Sequence, residues 1–145
     1  MSIGEKRKAR CLCGAVQFSA RLKDDALQAC HCEQCQRWTG GGPLVTVRVE
    51  EVEMTGEDKI QNYLASAHGE RAFCSVCGTT LYWKMQERRV AFLPVGLFED
   101  QSGLTMREEI FVDRRPGWLP EWPGAEQHDE AEMQAQLKSF LEGEA

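Results

Sequence analysis

Seven cysteines in three short groups are the feature that most constrains this 145-residue chain. Cys11 and Cys13 form a Cys-x-Cys pair, Cys74 and Cys77 form a Cys-x-x-Cys pair, and the other three fall within positions 30–35. An odd number of cysteines cannot pair completely as disulfides, and clustered thiols in a reducing compartment are more often metal ligands or catalysts. We therefore interpret the seven as four plus three metal ligands.

The two cysteine pairs have the form of zinc-binding turns. Each is followed at once by a glycine, at positions 14 and 78, and then by a predicted strand. Such turns point two sulfurs in the same direction, and two of them joined by a sheet make the four-thiolate environment of a structural zinc. We predict this site at Cys11, Cys13, Cys74 and Cys77. Four unrelated buried thiols, or the zinc ribbon of a nucleic-acid-binding protein, are the alternatives.

The third group predicts a different kind of site, because it supplies only three sulfurs. A compact loop carrying Cys30, Cys32 and Cys35 can aim them at one point. Three protein ligands with one exchangeable position are typical of catalytic zinc. The alternative is a second structural zinc closed by a histidine. His31 lies between two ligands and should point away from them or be an exposed loop residue, so His68 would have to supply the fourth ligand.

Two further features near this loop have both a functional and a structural interpretation. Arg37 can hold a substrate carboxylate through two hydrogen bonds, or it is a solvated surface residue. The segment 115–124 contains three prolines and two glycines, so it should be irregular. We expect Trp118 and Trp122 in this segment to bury their rings, either by capping the β core or by forming one wall of a substrate cleft.

Short runs of alternating apolar and polar residues predict a mainly β, antiparallel fold. In the first run, Val16, Phe18 and Ala20 share one face. Residues 5–10 read as a solvated end and residues 24–28 as a short turn. The predicted strands are Gly14–Arg21, Leu44–Val49, Glu70–Cys74, Thr79–Lys84, Arg88–Val95 and Arg107–Val112.

One helix is predicted near the C-terminus, over Asp129–Glu142. Asp129 can cap it, with Glu132 as the capping-box partner three residues on, and Gly143 follows as a stop signal. Four apolar residues share one face, which we expect to pack on the sheet. These residues are Met133, Leu137, Phe140 and Leu141.

Charge and hydropathy exclude several classes of function. The net charge is −6 and the basic residues are scattered, which argues against a nucleic-acid partner. No apolar run approaches the ~20 residues of a membrane helix, and the first ten residues are polar. We predict a cytoplasmic protein of one domain, 1–145, with a core over about 9–122 and a helix over about 129–142. The sequence leaves open whether the protein forms a homo-oligomer.

The cysteine motifs resemble one known family. Cys11–Val16 reads Cys-x-Cys-Gly-x-Val, Cys30–Gly40 reads Cys-His-Cys-x-x-Cys-x-Arg-x-Thr-Gly, and Phe73–Gly78 reads Phe-Cys-x-x-Cys-Gly. Together with Val95–Asp100 and Ile110–Trp118, they are similar to the glutathione-dependent formaldehyde-activating enzyme family, also called the centromere protein V/GFA domain. The resemblance covers roughly residues 9–122. Many members carry a basic residue at the position of Gln36 and a histidine at that of Glu109.

The resemblance implies a fold, a cofactor and a reaction. The fold would be an antiparallel β-tent around a structural zinc held by Cys11, Cys13, Cys74 and Cys77. Cys30, Cys32 and Cys35 would hold a catalytic zinc. The implied activity is that of a carbon–sulfur lyase that joins glutathione and formaldehyde into S-(hydroxymethyl)glutathione, with a zinc-bound thiolate as nucleophile or leaving group. A small thiol and a small aldehyde would be the partners.

Two other classes of function remain as alternatives. In a non-catalytic binding module, both metal sites would be structural. A thiol redox enzyme like the methionine-R-sulfoxide reductases would need a reactive, uncoordinated cysteine in the C-terminal half, and no cysteine follows Cys77. His31, Glu33 and His68 are the candidate proton carriers for an enzyme of the first kind.

Overall fold

A computed structural model describes residues 2–143 and is mainly β, as the sequence predicts. The strands are β1 Lys6–Arg10, β2 Gln17–Cys30, β3 Leu44–Thr55, β4 Ile60–Leu64, β5 Gly69–Cys74, β6 Thr80–Met85, β7 Phe92–Pro94, β8 Thr105–Ile110 and β9 Glu126–His128. The helices are α1 Glu33–Thr39 and α2 Glu130–Gly143. Three single-turn 3₁₀ segments lie at Glu57–Lys59, Val95–Leu97 and Val112–Arg114. In the described chain, neither α-helix is long and apolar enough to cross a membrane.

The chain divides into two compact units. The described part of the first unit comprises residues 2–27 and 45–105, and that of the second comprises residues 28–44 and 106–143. Each cysteine group lies within one unit: the group of four in the first and the group of three in the second.

The first unit is built from antiparallel strands around an apolar core. β1 pairs with β2 and β3 pairs with β7, while β4, β5 and β6 form a three-stranded meander. Val16, Phe18 and Ala20 are buried on the predicted face of β2. Burying each large apolar side chain stabilises the fold by roughly 1.5–3 kcal/mol. The other buried apolar residues of this core include Leu22, Val47, Val49, Leu81, Leu93 and Phe98.

Two local predictions in the first unit are wrong. Residues 6–10 form β1 rather than a solvated end, because Arg7 and Ala9 alternate inward with 1% and 2% exposure. Nη1 of the Arg7 guanidinium donates hydrogen bonds there to the carbonyl oxygens of Asp100 and Ser102. Residues 24–27, expected in a short turn, continue β2.

The second unit contains a parallel strand pair. β9 runs parallel to β8, with Glu108 opposite Glu126 and Ile110 opposite His128. The antiparallel expectation does not hold here, because the long, proline-rich connection over 111–125 returns the chain in the same direction. The segment 115–124 is irregular, as predicted.

Helix α2, Glu130–Gly143, lies within one residue of its predicted bounds at each end, but its apolar face is not buried. The capping box is formed: the amide of Glu132 donates to Asp129 Oδ1 at 2.8 Å, and the amide of Asp129 lies 3.5 Å from Glu132 Oε1. No residue of α2 is buried, and Leu137 and Phe140 are exposed. The helix is instead held by polar contacts at its first turn, where Arg114 pairs with Glu130 at 2.8 Å.

The backbone at Gly56 generates a stability prediction. Gly56 has φ +79°, and a Cβ placed there would lie 1.9 Å from the carbonyl oxygen of Ala15. Gly56→Ala should therefore lower the free energy of unfolding by about 3 kcal/mol or more, since backbone must shift. Gly103→Ala is the matched control, because its φ is +80° but its Cβ would have nothing nearer than Ile3 Cδ1 at 3.9 Å. Denaturant unfolding of both variants measures the difference, and equal losses would contradict the clash.

Candidate metal centres

Four cysteine sulfurs converge in the first unit. The Sγ atoms of Cys11, Cys13, Cys74 and Cys77 all lie within 4.8 Å of one another. Cys11 and Cys13 are 3.7 Å apart, and Cys13 and Cys74 are 3.8 Å apart. A tetrahedral zinc with Zn–S bonds of about 2.3 Å requires sulfurs about 3.8 Å apart. The donor atoms and their spacing therefore fit zinc, and this group can bind it.

Backbone amides donate hydrogen bonds to two of these sulfurs. The amide of Val16 donates to Cys11 Sγ at 3.3 Å, and the amide of Ala15 donates to Cys13 Sγ at 3.5 Å. Gly14 makes this possible with φ +81°, a backbone conformation that glycine adopts without steric strain. Hydrogen bonds to the sulfurs favour their thiolate form.

The thiols of this group differ in their pKa values. The hydroxyl and amide of Thr79 hydrogen-bond Cys77 and lower the pKa of its thiol to about 5. For Cys13, the Ala15 amide acts to lower the pKa, but burial and the neighbouring sulfurs together raise it to about 11. A divalent cation at the centre would offset the repulsion that four adjacent thiolates otherwise create.

Three further sulfurs converge in the second unit. Cys30 ends β2, Cys32 is the N-cap residue of α1, and Cys35 lies in the first turn of that helix. Their Sγ atoms lie within 4.8 Å of one another. The amide of Cys35 donates to Cys32 Sγ at 3.3 Å, which orients that sulfur. Cys32 and Cys35 thus lie at the start of a helix rather than in the predicted loop. The sequence does not predict α1, because seven residues are too few to show a helical period.

The second group supplies three ligands, whereas the first supplies four. Among residues 2–143, no fourth Cys, His, Asp or Glu atom joins the three sulfurs. Hydrogen bonding with Cys32 and Cys35, together with burial, raises the pKa of Cys30. Three thiols packed this closely hold their protons unless a cation lies among them. The group can bind a metal through three sulfurs, and zinc prefers four ligands.

His31 is buried, so of the two alternatives the exposed loop residue is wrong, while its side chain does lie outside the ligand group as the sequence predicts. Its side chain is 1% exposed, and Nε2 lies 2.8 Å from Glu109 Oε1. A carboxylate only accepts hydrogen bonds, so Nε2 carries the proton. His31 Nδ1 is buried and has no hydrogen-bond partner among residues 2–143. His31 therefore belongs to a polar network behind the thiols and does not join the ligand group.

Glu109 is the centre of that network. Besides His31, it accepts hydrogen bonds from Arg115 at 3.0 Å, from the amide of Trp122 at 2.9 Å and from Gln127 at 2.8 Å. Burial acts to raise the pKa of Glu109, but these donors outweigh burial and lower the pKa to about 2. One charged carboxylate thus ties the thiol loop to the proline-rich segment and to β9.

Gln36 makes a second tie between the thiol loop and the end of β8. Its side-chain amide donates to the carbonyl oxygens of His31 at 2.8 Å and Arg114 at 2.9 Å. The amide of His31 donates to the Ile110 oxygen at 3.0 Å. Phe111, which follows, has φ +55°, a strained conformation for a non-glycine residue. The loop is therefore fixed by backbone contacts on both sides.

Other predicted site residues lie outside these networks. Arg37 is 79% exposed, and its guanidinium lies 3.7 Å from the carboxylate of Glu33 one helical turn earlier. His68 is exposed and lies in the first unit. Trp118 and Trp122 are 71% and 54% exposed, so the expectation that their rings are buried is wrong. The segment that carries them is anchored through Arg115 and a backbone amide instead of through the rings.

The Glu109 network generates a prediction. Glu109→Gln should lower the free energy of unfolding by about 3 kcal/mol, because a pKa depressed from 4.5 to about 2 measures roughly that much stabilisation of the charged form. Because the folded pKa is lowered, this stabilisation is fully present above pH 4.5 and is lost as the pH falls towards 2. Denaturant unfolding should therefore give the same difference at pH 7.5 and pH 6.

Glu53→Gln is the matched control, since Glu53 is 72% exposed and pairs with Lys6 at the surface. We expect its effect to stay within about 0.5 kcal/mol. Equal stability of the Glu109→Gln and Glu53→Gln variants would contradict the predicted contribution of the network to the free energy of unfolding.

The chain is similar in sequence and in fold to known proteins. Residues 6–114 match the family described as glutathione-dependent formaldehyde-activating enzyme. An uncharacterized lyase of Schizosaccharomyces pombe is 27% identical over 110 residues, which is 75% of this chain and 80% of that protein. The crystal structure of a Rhodobacter sphaeroides protein shares the fold with a TM-score of 0.52 and 22% identity, covering 68% of this chain and 90% of that one. The chain belongs to the glutathione-dependent formaldehyde-activating enzyme family.

Proposed function

We propose that this protein is a zinc-dependent carbon–sulfur lyase that joins a small thiol, such as glutathione, to a small aldehyde, such as formaldehyde, and catalyses the reverse reaction. The observation that carries the proposal is the contrast between its two sulfur groups: four sulfurs close one, and three form the other. Membership of the family supports the same reaction class. The fold would then be the β-tent of that family, which in this chain includes the parallel pair of β8 and β9.

The four-sulfur group is proposed as the structural site. Its ligands come from two turns in which Cys13 and Cys74 are 61 positions apart. Zinc binding at such a site contributes on the order of 10 kcal/mol to folding in small metal domains. With four protein ligands, a tetrahedral zinc has no position for substrate, so this group acts on stability alone.

The three-sulfur group is proposed as the reactive site. In the forward direction the thiol loses its proton, a C–S bond forms at the carbonyl carbon, and the carbonyl oxygen takes up a proton to become a hydroxyl. In the reverse direction the C–S bond breaks and the hydroxyl proton is returned. Cys30, Cys32 and Cys35 would hold the zinc, which would offer a further position suited to sulfur and would lower the pKa of a thiol bound there.

The surrounding residues orient this group. The amide of Cys35 aims the sulfur of Cys32, and Gln36 fixes the backbone on either side of the loop. His31 is proposed to position the loop and not to carry a proton, because its Nε2–H is held by Glu109 and the ring is buried. Glu109 therefore acts through His31 and does not contact substrate.

Arg37 is proposed to bind a carboxylate of the substrate thiol. It lies two residues after Cys35, and its guanidinium lies 3.7 Å from the carboxylate of Glu33 and 3.4 Å from the carbonyl oxygen of that residue, both long contacts. An exposed guanidinium held this loosely can turn to an anionic ligand, and a charge-assisted pair contributes about 1.5–3 kcal/mol. We further propose a cytoplasmic location, where glutathione and the free cysteines stay reduced.

Cobalt substitution tests direct thiol binding. In cobalt-loaded protein, glutathione should strengthen the sulfur-to-cobalt charge-transfer absorption, since a fourth sulfur joins the three-sulfur group. Arg37→Ala should weaken glutathione binding by roughly tenfold or more and leave mercaptoethanol, which has no carboxylate, unchanged. Arg89→Ala, which removes an exposed arginine from the first unit, is the matched control and should change neither.

Three outcomes would count against parts of this proposal. A cobalt spectrum unaffected by millimolar thiol would contradict thiol binding at the metal, and the non-catalytic binding module would then be favoured. Equal weakening of both thiols in Arg37→Ala would remove this arginine from the site. Thiol binding without any change in aldehyde consumption would contradict the lyase reaction.

A further inference from the structure

The second unit also contains a cluster of nitrogen and oxygen ligand atoms, which differ in chemistry from the sulfurs of the cysteine groups. Glu108 lies on β8, and Glu126 and His128 lie on the parallel strand β9. One ligand atom from each residue lies within 4.8 Å of the other two. Glu126 and Glu108 are register partners, and His128 follows two positions along the same strand face. The strand pairing itself therefore brings the three side chains together.

The imidazole is oriented by a residue outside the three. His128 Nδ1 lies 2.8 Å from Glu132 Oε2, and because the carboxylate accepts, Nδ1 carries the proton. In the neutral ring, Nε2 then keeps its lone pair. It lies 3.7 Å from Glu108 Oε2 and 3.5 Å from Glu126 Oε2, which is longer than a good hydrogen bond. A histidine whose other nitrogen donates to a carboxylate is the usual arrangement around a bound metal.

Glu108 is oriented in the same way. The side-chain amide of Gln28 donates to Glu108 Oε1 at 2.7 Å, and the other oxygen, Oε2, is the one near His128. The side chains of Glu108 and His128 are 17% and 22% exposed, so both are largely withdrawn from water. Two of the three ligand side chains thus have their orientation set by neighbouring polar groups.

The charges around the imidazole are not balanced. Three carboxylates face His128: Glu108 from β8, Glu126 from β9 and Glu132 from α2. A divalent cation would offset this excess of negative charge more completely than one proton does.

We propose that Glu108, Glu126 and His128 form a divalent-cation site of one nitrogen and two oxygens, with Glu132 and Gln28 as its outer supports. This donor set suits cations such as Mn²⁺ or Zn²⁺, in contrast to the sulfur-only groups. Glu126, His128 and Glu132 lie beyond the family match at residues 6–114. The site goes beyond the proposed lyase function, and it would link β8 to β9 and the start of α2.

Titration with manganese tests the site in the zinc-loaded protein. Mn²⁺ is the weakest-binding cation of its series, so it should leave the thiolate-bound zinc in place. Electron paramagnetic resonance should show one saturable Mn²⁺ site per chain. Glu108→Gln and His128→Gln should each weaken binding at least tenfold, and Glu132→Gln should weaken it less. Glu121→Gln, an exposed carboxylate of the same unit, is the matched control and should stay within twofold.

A second readout needs no variant. In wild-type protein, substoichiometric Mn²⁺ should broaden the amide NMR signals of residues 108, 126 and 128 before others. Absence of saturable binding at millimolar Mn²⁺ would overturn the proposal. So would a loss of affinity that is the same in Glu108→Gln, His128→Gln and the Glu121→Gln control, or broadening spread over all acidic surfaces.

Discussion

The convergence of four sulfurs from two distant turns is the interaction on which the first unit depends. Closing the chain over the 61 positions between Cys13 and Cys74 has a substantial entropic cost. If no metal binds the sulfurs, strand pairing alone must offset that cost. Sulfur separations of 3.7 and 3.8 Å match the edges of a zinc tetrahedron. Amides from the turns already point at these sulfurs. The first unit is thus arranged to accept a metal ion, which in the proposed function would stabilise it.

The second unit is organised by polar contacts to a greater extent. Glu109 collects donors from β9, from the proline-rich segment and from His31, and it stays charged although it is 4% exposed. Removing one partner of such a network leaves a buried group unsatisfied, which destabilises more than the contact itself contributes. Helix α2, which buries no side chain, is likewise held by ion pairs and a capping box. The three-sulfur group therefore depends on electrostatic contacts for its position.

The sequence predicts the cysteine groups well because their determinants are local. A Cys-x-Cys-Gly or Cys-x-x-Cys-Gly turn sets the direction of its own sulfurs, and period-two alternation locates the first part of β2 and of β3. The contact between His31 and Glu109 has no such signal, since 78 positions separate the two residues. The only indication was that Glu109 stands where many family members have a histidine. β1 was missed because its charged residues hide the inward alternation of Arg7 and Ala9.

The account rests on one metal site with four sulfurs and one with three, and X-ray absorption at the zinc edge, combined with elemental analysis, tests this most directly. Protein that carries zinc only at the two cysteine groups, with no added thiol, should contain two zincs with a mean of 3.5 sulfur ligands each, since seven cysteines supply all the sulfur ligands. Mild chelation should remove the more weakly held zinc first and leave one zinc bound by four sulfurs. Loss of both zincs at the same chelator concentration, or a retained zinc with fewer than four sulfurs, would contradict the account.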